Sequence, residues 1–217
     1  MFNKPSDHPK ILNDKIGVLL INLGTPNNTD TKSIRIYLKE FLSDPRVIDL
    51  PRILWWLILN LIILNTRPRK TGAAYKKIWL MNDKDGSPLR KYTRLQSENL
   101  LKAFNNDKLI IDFAMRYGSP SIITKLEKLK SAGCKKILIF SLYPQYSGST
   151  TATVNDEVCK WIIKQKWQPS IRIVPPYFDR TEYISAISKS ILKSFKEQGE
   201  PNILLLSFHG APMRYLI

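Results

Sequence analysis

The sequence predicts an α/β fold, a parallel sheet with helices on both faces. Three observations carry that reading. Short apolar runs rich in Ile, Leu and Val recur along the 217 residues, as buried strands require. Stretches of helical period separate them, so successive strands need crossover connections and run parallel. Glycine follows two of the helical stretches, where a left-handed residue is wanted.

The strands are expected at 16–23 ("IGVLLINL"), 109–115 ("LIIDFAM"), 136–142 ("KILIFSL"), 171–174 ("IRIV") and 202–208 ("NILLLSF"). Helices are expected near 31–42, 71–80, 88–104, 121–131, 151–166 and 180–198. Ser119-Pro120 and Asp179 are placed to start the fourth and sixth of these helices, and Gly133 and Gly199 to end them. Pro175-Pro176 marks a turn. Residues 171–208 read as a complete βαβ unit, and those after 208 are too few to cover another layer. The chain is therefore expected to hold a first α/β lobe over 1–170, with an apolar lip near 50–70. A second lobe is expected to start at 171–217 and to be incomplete and unstable there.

Hydrophobic residues make up 43% of the chain, enough for a core and against disorder. Lys and Arg number 34 against 18 Asp and Glu, for a net charge of +16. Such a balance suits nucleic acid, an anionic membrane surface or an acidic small molecule. The cations are spread out, without a polybasic tail, zinc-finger or RNA-binding signature, so no nucleic-acid partner is expected. Cys134 and Cys159 form no CxxC motif, which excludes a disulfide framework or metal cluster within the chain and fits a reducing cytosol. The first 15 residues lack the apolar core of a secretory leader. His8, in that polar stretch, is given no role.

Five segments carry candidate chemistry. His209 sits in a His-Gly turn after an apolar run, where ligands bind beyond strand ends; its imidazole suits a base or metal ligand near neutral pH. "LINLGTP" (20–26) is a strand end that is no phosphate loop. "MRYGSP" (115–120) offers Arg116 for a carboxylate and Tyr117 for a flat ring, or equally an Arg–Asp surface pair with the tyrosine plugging the loop. "YPQYSGSTTATVND" (143–156) gathers tyrosines and hydroxyls at a helix start, a place for an anion or for helix caps. The apolar run 53–64 is too short to span a membrane, which takes roughly 20 residues. It is apolar on nearly all sides, which fits a buried core helix, but with Trp55, Trp56 and flanking cations it better suits a helix lying in a membrane interface, since adjacent tryptophans cannot both face one core.

"NLGTP" (22–26), "GSPLRKYT" (86–93), "FAMRYGSP" (113–120), "YPQYSGSTT" (143–151) and "SFHGAPMRY" (207–215) together resemble the ferrochelatase family, in order and spacing over nearly the whole chain. The resemblance implies two similar lobes with parallel sheets and a porphyrin in the cleft between them. It implies insertion of ferrous iron, as substrate, into protoporphyrin IX to give protohaem, the last step of haem synthesis. His209 becomes the catalytic residue, as metal ligand or acceptor of a pyrrole proton. Leu23 would pack on the macrocycle, Arg116 and Tyr117 would lie on its opposite side, and Tyr143, Ser147, Ser149 and Thr150 would line the cleft. Lys70, Lys76 and Lys77 are candidate partners for the propionates. Leu54, Trp55, Trp56 and Leu57 match a lip facing an anionic membrane, implying a cytoplasmic protein held peripherally at the inner membrane.

The family also has a glutamate partner for the histidine beyond the region matched here. The chain alone is therefore expected to be poorly active or inactive. The alternatives are a non-catalytic part of a split or decayed enzyme, or a membrane-associated porphyrin-binding protein. No cofactor is evident; an iron–sulfur cluster and the oligomeric state are left open.

Overall fold

Four strands pair in parallel in the order β2-β1-β3-β4, with β1 at Lys15–Thr25, β2 at Leu109–Gly118, β3 at Cys134–Ser141 and β4 at Ser170–Ile173. A computed structural model describes residues 7, 14–210 and 212–213. His8 and residues 211, 214 and 215 of the last motif lie outside the described residues.

The central strand is apolar in every direction because it is covered on both sides. Leu19 and Ile21 face one layer, formed by α5 (Ile122–Ser131) and α6 (Thr153–Ile163), and pack there with Ile137, Leu126 and Trp161. Val18 and Leu20 face the other, with Phe113 and Met115 beside them and Leu100 of α4 (Pro88–Phe104) above. Each such buried aliphatic side chain contributes about 1.5–3 kcal/mol, so the runs at 16–23, 109–115 and 136–142 settle as strands where expected. A third cluster lies beyond the carboxyl ends of the strands. There Ile34, Tyr37 and Leu38 of α1 (Thr31–Leu42) meet Trp55, Leu59 and Leu64.

Those last three belong to one helical passage from 52 to 76: α2 (Arg52–Leu57), a π-helical segment (Ile58–Ile63) and α3 (Leu64–Lys76). The helix expected at 71–80 thus begins earlier and stops sooner. Pro68 interrupts the ladder by lacking an N–H, and the Leu64 carbonyl it leaves open accepts from Arg35 Nε at 2.8 Å instead. At the other end the amide of Leu80 turns to the Gly86 carbonyl at 2.7 Å.

Other expectations change as well. Ser121, not Ser119-Pro120, caps α5, its hydroxyl accepting from the Thr124 amide. Asp179 makes no cap for α7 (Thr181–Gln198), which starts after Arg180 without a side-chain bond. Asp30 caps α1 by accepting from the amides of Lys32 and Ser33. The division expected at residue 170 falls within the sheet, since β4 is its fourth strand. Residues 202–208 form no strand: Ile203, Leu205 and Phe208 are exposed, and the run has no ladder partner among the described residues. Apolarity alone does not make a strand; backbone pairing must accompany it.

At the carboxyl ends β1 and β2 approach so closely that only glycine fits. Gly24 pairs with Tyr117 and Thr25 with Gly118. A Cβ on Gly24, at φ +113°, would sit 1.8 Å from the Tyr117 carbonyl oxygen; one on Gly118, at φ +86°, would sit 2.5 Å from that of Thr25. Gly24→Ala is therefore expected to destabilise the fold by about 2–4 kcal/mol, read from the urea midpoint.

A second prediction concerns Asp112 on β2, which accepts from Lys125 at 2.6 Å and Lys128 at 3.1 Å on α5. Burial pushes its carboxyl up, but these bonds and the Phe113 amide more than offset that, leaving it below its ordinary 3.8. A folded-state value below the unfolded one gives stability at neutral pH that is lost as pH falls through the folded value. Asp112→Asn should cost about 1–3 kcal/mol at pH 7. In urea melts at descending pH the difference should close below the ordinary carboxylate range.

Candidate functional site

Three cavities lie in a row over the carboxyl edge of the sheet, where open α/β folds bind ligands. The first, about 510 Å³, is lined by Leu23 and Thr25 of β1, Tyr37, Tyr75, Ser87 and Tyr92 among others. The second, about 470 Å³, is lined by Leu23, Val47, Ile48, Ser149, Thr150 and His209 among others. The third, about 400 Å³, is bounded by Tyr143, Ser147, Ser149, Thr150 and His209. Leu23 is common to the first two, and His209, Ser149 and Thr150 to the last two. These neighbouring cavities, taken together as the trough, are mostly apolar, and each is within the usual size of a small-molecule site.

His209 is exposed at this trough, and its Nδ1 lies 2.7 Å from the Gly210 carbonyl. A carbonyl oxygen only accepts, so Nδ1 carries the proton, and in the neutral ring Nε2 keeps its lone pair. The histidine arrives on irregular chain and not from the expected strand end.

The hydroxyls of 147–150 are largely taken up by their own turn. Ser147 accepts from the Ser149 amide at 3.4 Å, its Oγ lies 3.2 Å from that of Ser149, and Thr150 Oγ1 donates to the Ser147 carbonyl at 3.3 Å. They still line the trough, Ser147 capping and Ser149 and Thr150 lying within a π-helical turn (Gly148–Ala152) that opens α6. The Tyr143 hydroxyl is buried and meets no hydrogen-bond partner among the described residues. Burial, with the nearby Tyr117 adding to it, pushes this phenol well above its ordinary 10.0.

Arg116 and Tyr117 are not on the trough surface. Arg116 is 8% exposed and Tyr117 wholly buried, and neither is among the residues lining the three cavities. Arg116 donates to Asp44 Oδ2 at 2.6 Å and, through Nε, to the Thr153 carbonyl at 2.9 Å; Glu157 stands 3.7 Å away. Tyr117 donates its hydroxyl to the same Asp44 oxygen at 2.9 Å, and burial raises its phenol above the ordinary range. The guanidinium also sits 4.4 Å over the Tyr117 ring. The pairing read from the sequence is present, but its carboxylate comes from the protein.

The remaining candidates separate by exposure. Lys70, Lys76 and Lys77 are exposed on or just after α3 and are not among the lining residues of the three cavities. Within the lip, Leu54, Trp56 and Leu57 are exposed, whereas Trp55 is buried and donates its indole N–H to the Leu42 carbonyl at 2.7 Å. Trp55 is a core residue, a correction to its expected place on the lip.

Sequence reasoning missed Tyr37, Tyr75, Ser87 and Tyr92 in the trough, and Asp44 beneath it. Ser87 and Tyr92 lie in "GSPLRKYT", a segment recognised as a motif but given no site residue. Tyr37 was legible as a member of the apolar face of α1, four residues before Phe41, on which it stacks with ring centroids 6.0 Å apart.

A family model described as ferrochelatase matches residues 15–217. Among curated proteins named ferrochelatase, that of Allorhizobium ampelinum is 51% identical over 215 residues, covering 98% of this chain and 62% of its own length. That of Rhizobium meliloti is 50% identical over 212 residues, with 97% of this chain and 62% of the relative covered. The Agrobacterium fabrum protein is 49% identical over 215 residues, with the same two shares. This chain spans 62% of the length of the curated relatives it matches.

The two buried phenols should respond oppositely to loss of their hydroxyls. Tyr117→Phe strips Asp44 of a donor and is expected to destabilise by about 1–3 kcal/mol. Tyr143→Phe removes a desolvated, unpartnered group and should leave stability unchanged or raise it by about 1 kcal/mol. Denaturant melts of the two variants check this directly.

Proposed function

The chain belongs to the ferrochelatase family, and on that premise we propose that its trough receives a porphyrin, the reaction served being insertion of ferrous iron into protoporphyrin IX. The observation that carries this is the shared wall: His209 borders the same apolar trough as Leu23 and the tyrosine-lined end. A flat apolar macrocycle suits such a groove. Leu23 packs on the ring, and Tyr143, Ser147, Ser149 and Thr150 bound it beside His209. Arg116 and Tyr117 act from beneath, by fixing the strand ends.

His209 is the base in this reading. Two pyrrole N–H protons must leave as iron enters, and Nε2 is the unprotonated nitrogen available to accept one. The iron is substrate, and among the described residues no group of three or more His, Cys, Asp or Glu is placed to hold a metal. Lys70, Lys76 and Lys77 serve the propionates only at the outer rim. The exposed α7 and the apolar run 202–208 begin the second lobe that the family resemblance implies.

The lip binds a membrane surface from the cytoplasmic side. Ile53 is 81% exposed, and Leu54, Trp56, Leu57, Leu61 and Ile62 are exposed with it along the passage whose opposite face holds Trp55, Leu59 and Leu64. Arg52, Arg67, Arg69 and Lys70 flank this apolar side and are exposed, the arrangement of a helix lying in an anionic interface. No helix of the described residues is long and apolar enough to cross a membrane.

Two experiments test this reading. Protoporphyrin IX titrated into the whole chain should bind, with a shifted absorbance band; no binding overturns the reading. In metallation assays, with ferrous iron or zinc, His209→Ala should lower whatever rate the chain supports by about 100-fold while porphyrin affinity changes little; an unchanged rate would remove His209 as the base. Separately, Trp56→Glu should reduce co-sedimentation with anionic vesicles by about tenfold, an interfacial indole being lost and a like charge gained.

A further inference from the structure

We propose that Asp44, to which nothing so far assigns a role in ligand binding, is a positioning residue that sets the width of the trough at His209. The proposal rests on the reading of the trough as a porphyrin site. Asp44 is 9% exposed and lies in the turn between α1 and α2. Its two ends do different work. The Oδ2 atom accepts from Arg116 at 2.6 Å and from the Tyr117 hydroxyl at 2.9 Å. Through Arg116 it reaches the Thr153 carbonyl, at the start of α6 and directly after the turn whose Ser149 and Thr150 line the trough. That end therefore fastens Asp44 to β2 and to the wall on the His209 side.

The other end shapes the facing wall. Oδ1 accepts from the Arg46 amide at 2.9 Å, and the Asp44 carbonyl accepts from the amides of Val47 and Ile48, both at 3.0 Å. Val47 and Ile48 line the 470 Å³ part of the trough together with Ser149, Thr150 and His209. One residue thus holds both segments, Arg116 and Tyr117 through its carboxylate, and residues 46–48 through Oδ1 and its backbone carbonyl. The tie is firm because a buried guanidinium deprived of its partner is strongly unfavourable. Replacing Oδ2 with an amide nitrogen would set a donor against the donors of Arg116, so the turn must shift outward.

The test compares Asp44→Asn with Asp112→Asn, which breaks a buried pair on the same strand away from the trough. Amide hydrogen exchange on the full chain should show protection lost at residues 46–48 in Asp44→Asn and retained there in Asp112→Asn. Protoporphyrin IX affinity should fall by about tenfold or more in the first, from lost preorganisation, and stay within about twofold in the second, although both melt earlier. Equal protection at 46–48 in the two variants, or equal porphyrin affinity, overturns the role assigned to Asp44. Failure of the wild-type chain to bind porphyrin overturns the reading of the trough, and the exchange comparison then decides alone whether Asp44 holds its wall.

Discussion

Parallel pairing of β1 on both sides is the constraint from which the rest follows. Because β2 and β3 flank it in parallel, all three deliver their carboxyl ends to one edge, and the loops leaving that edge are gathered whether or not they are near in sequence. Leu23, Arg116 and Tyr143 are brought together in this way, from segments about 90 and 30 residues apart. The pairing of β1 with β2 continues to its last residues only because Gly24 and Gly118 admit a backbone approach that any side chain would block. Gly24 also lines the first cavity, between Leu23 and Thr25.

Burial of Arg116 then sets what the edge can do. A desolvated guanidinium is unfavourable unless every direction is met, and here Asp44, the Thr153 carbonyl and the Tyr117 ring meet it. Such a cluster contributes little net stability over a well-packed apolar one, but it permits only one arrangement of β2, the 44–48 turn and α6. Rigid placement of walls is what a site for a large flat ligand needs, and the network lies directly beneath the trough.

Most of the sheet was legible because its signal is local. The runs 16–23, 109–115 and 136–142 are strongly apolar and bounded by polar residues. The failures arise where a distant group decides. Residues 202–208 carry the same apolar signal but find no ladder partner among the described residues. Pro68 argues locally for a break, and Arg35, 33 residues earlier, removes the penalty by taking the orphaned carbonyl. The Trp55-Trp56 pair was correctly read as unable to face one core, but not which of the two turns inward; a carbonyl at Leu42 settles that. His209 and the 147–150 hydroxyls, to which motif order points, line one cavity together. Asp44 was missed because a lone aspartate before a proline looks like turn punctuation until its partners are seen.

The excess of positive charge becomes intelligible once the acids are located. Asp44, Asp85, Asp112 and Glu157 are spent on arginines and lysines next to the sheet or within its covering helices. The unmatched cations consequently lie outside. On α3 and at its end, Arg67, Arg69, Lys70, Lys76 and Lys77 are exposed and form no ion pair among the described residues. That helix continues directly from the exposed apolar lip, so one passage of chain presents greasy residues followed by free cations. A neutral apolar partner would draw on only the first half of that surface. An anionic interface, or an apolar ring bearing carboxylates, draws on both, and attraction to it weakens as salt screens charges beyond about 8 Å at physiological ionic strength. Part of the net charge of +16 therefore sits on the passage that carries the lip.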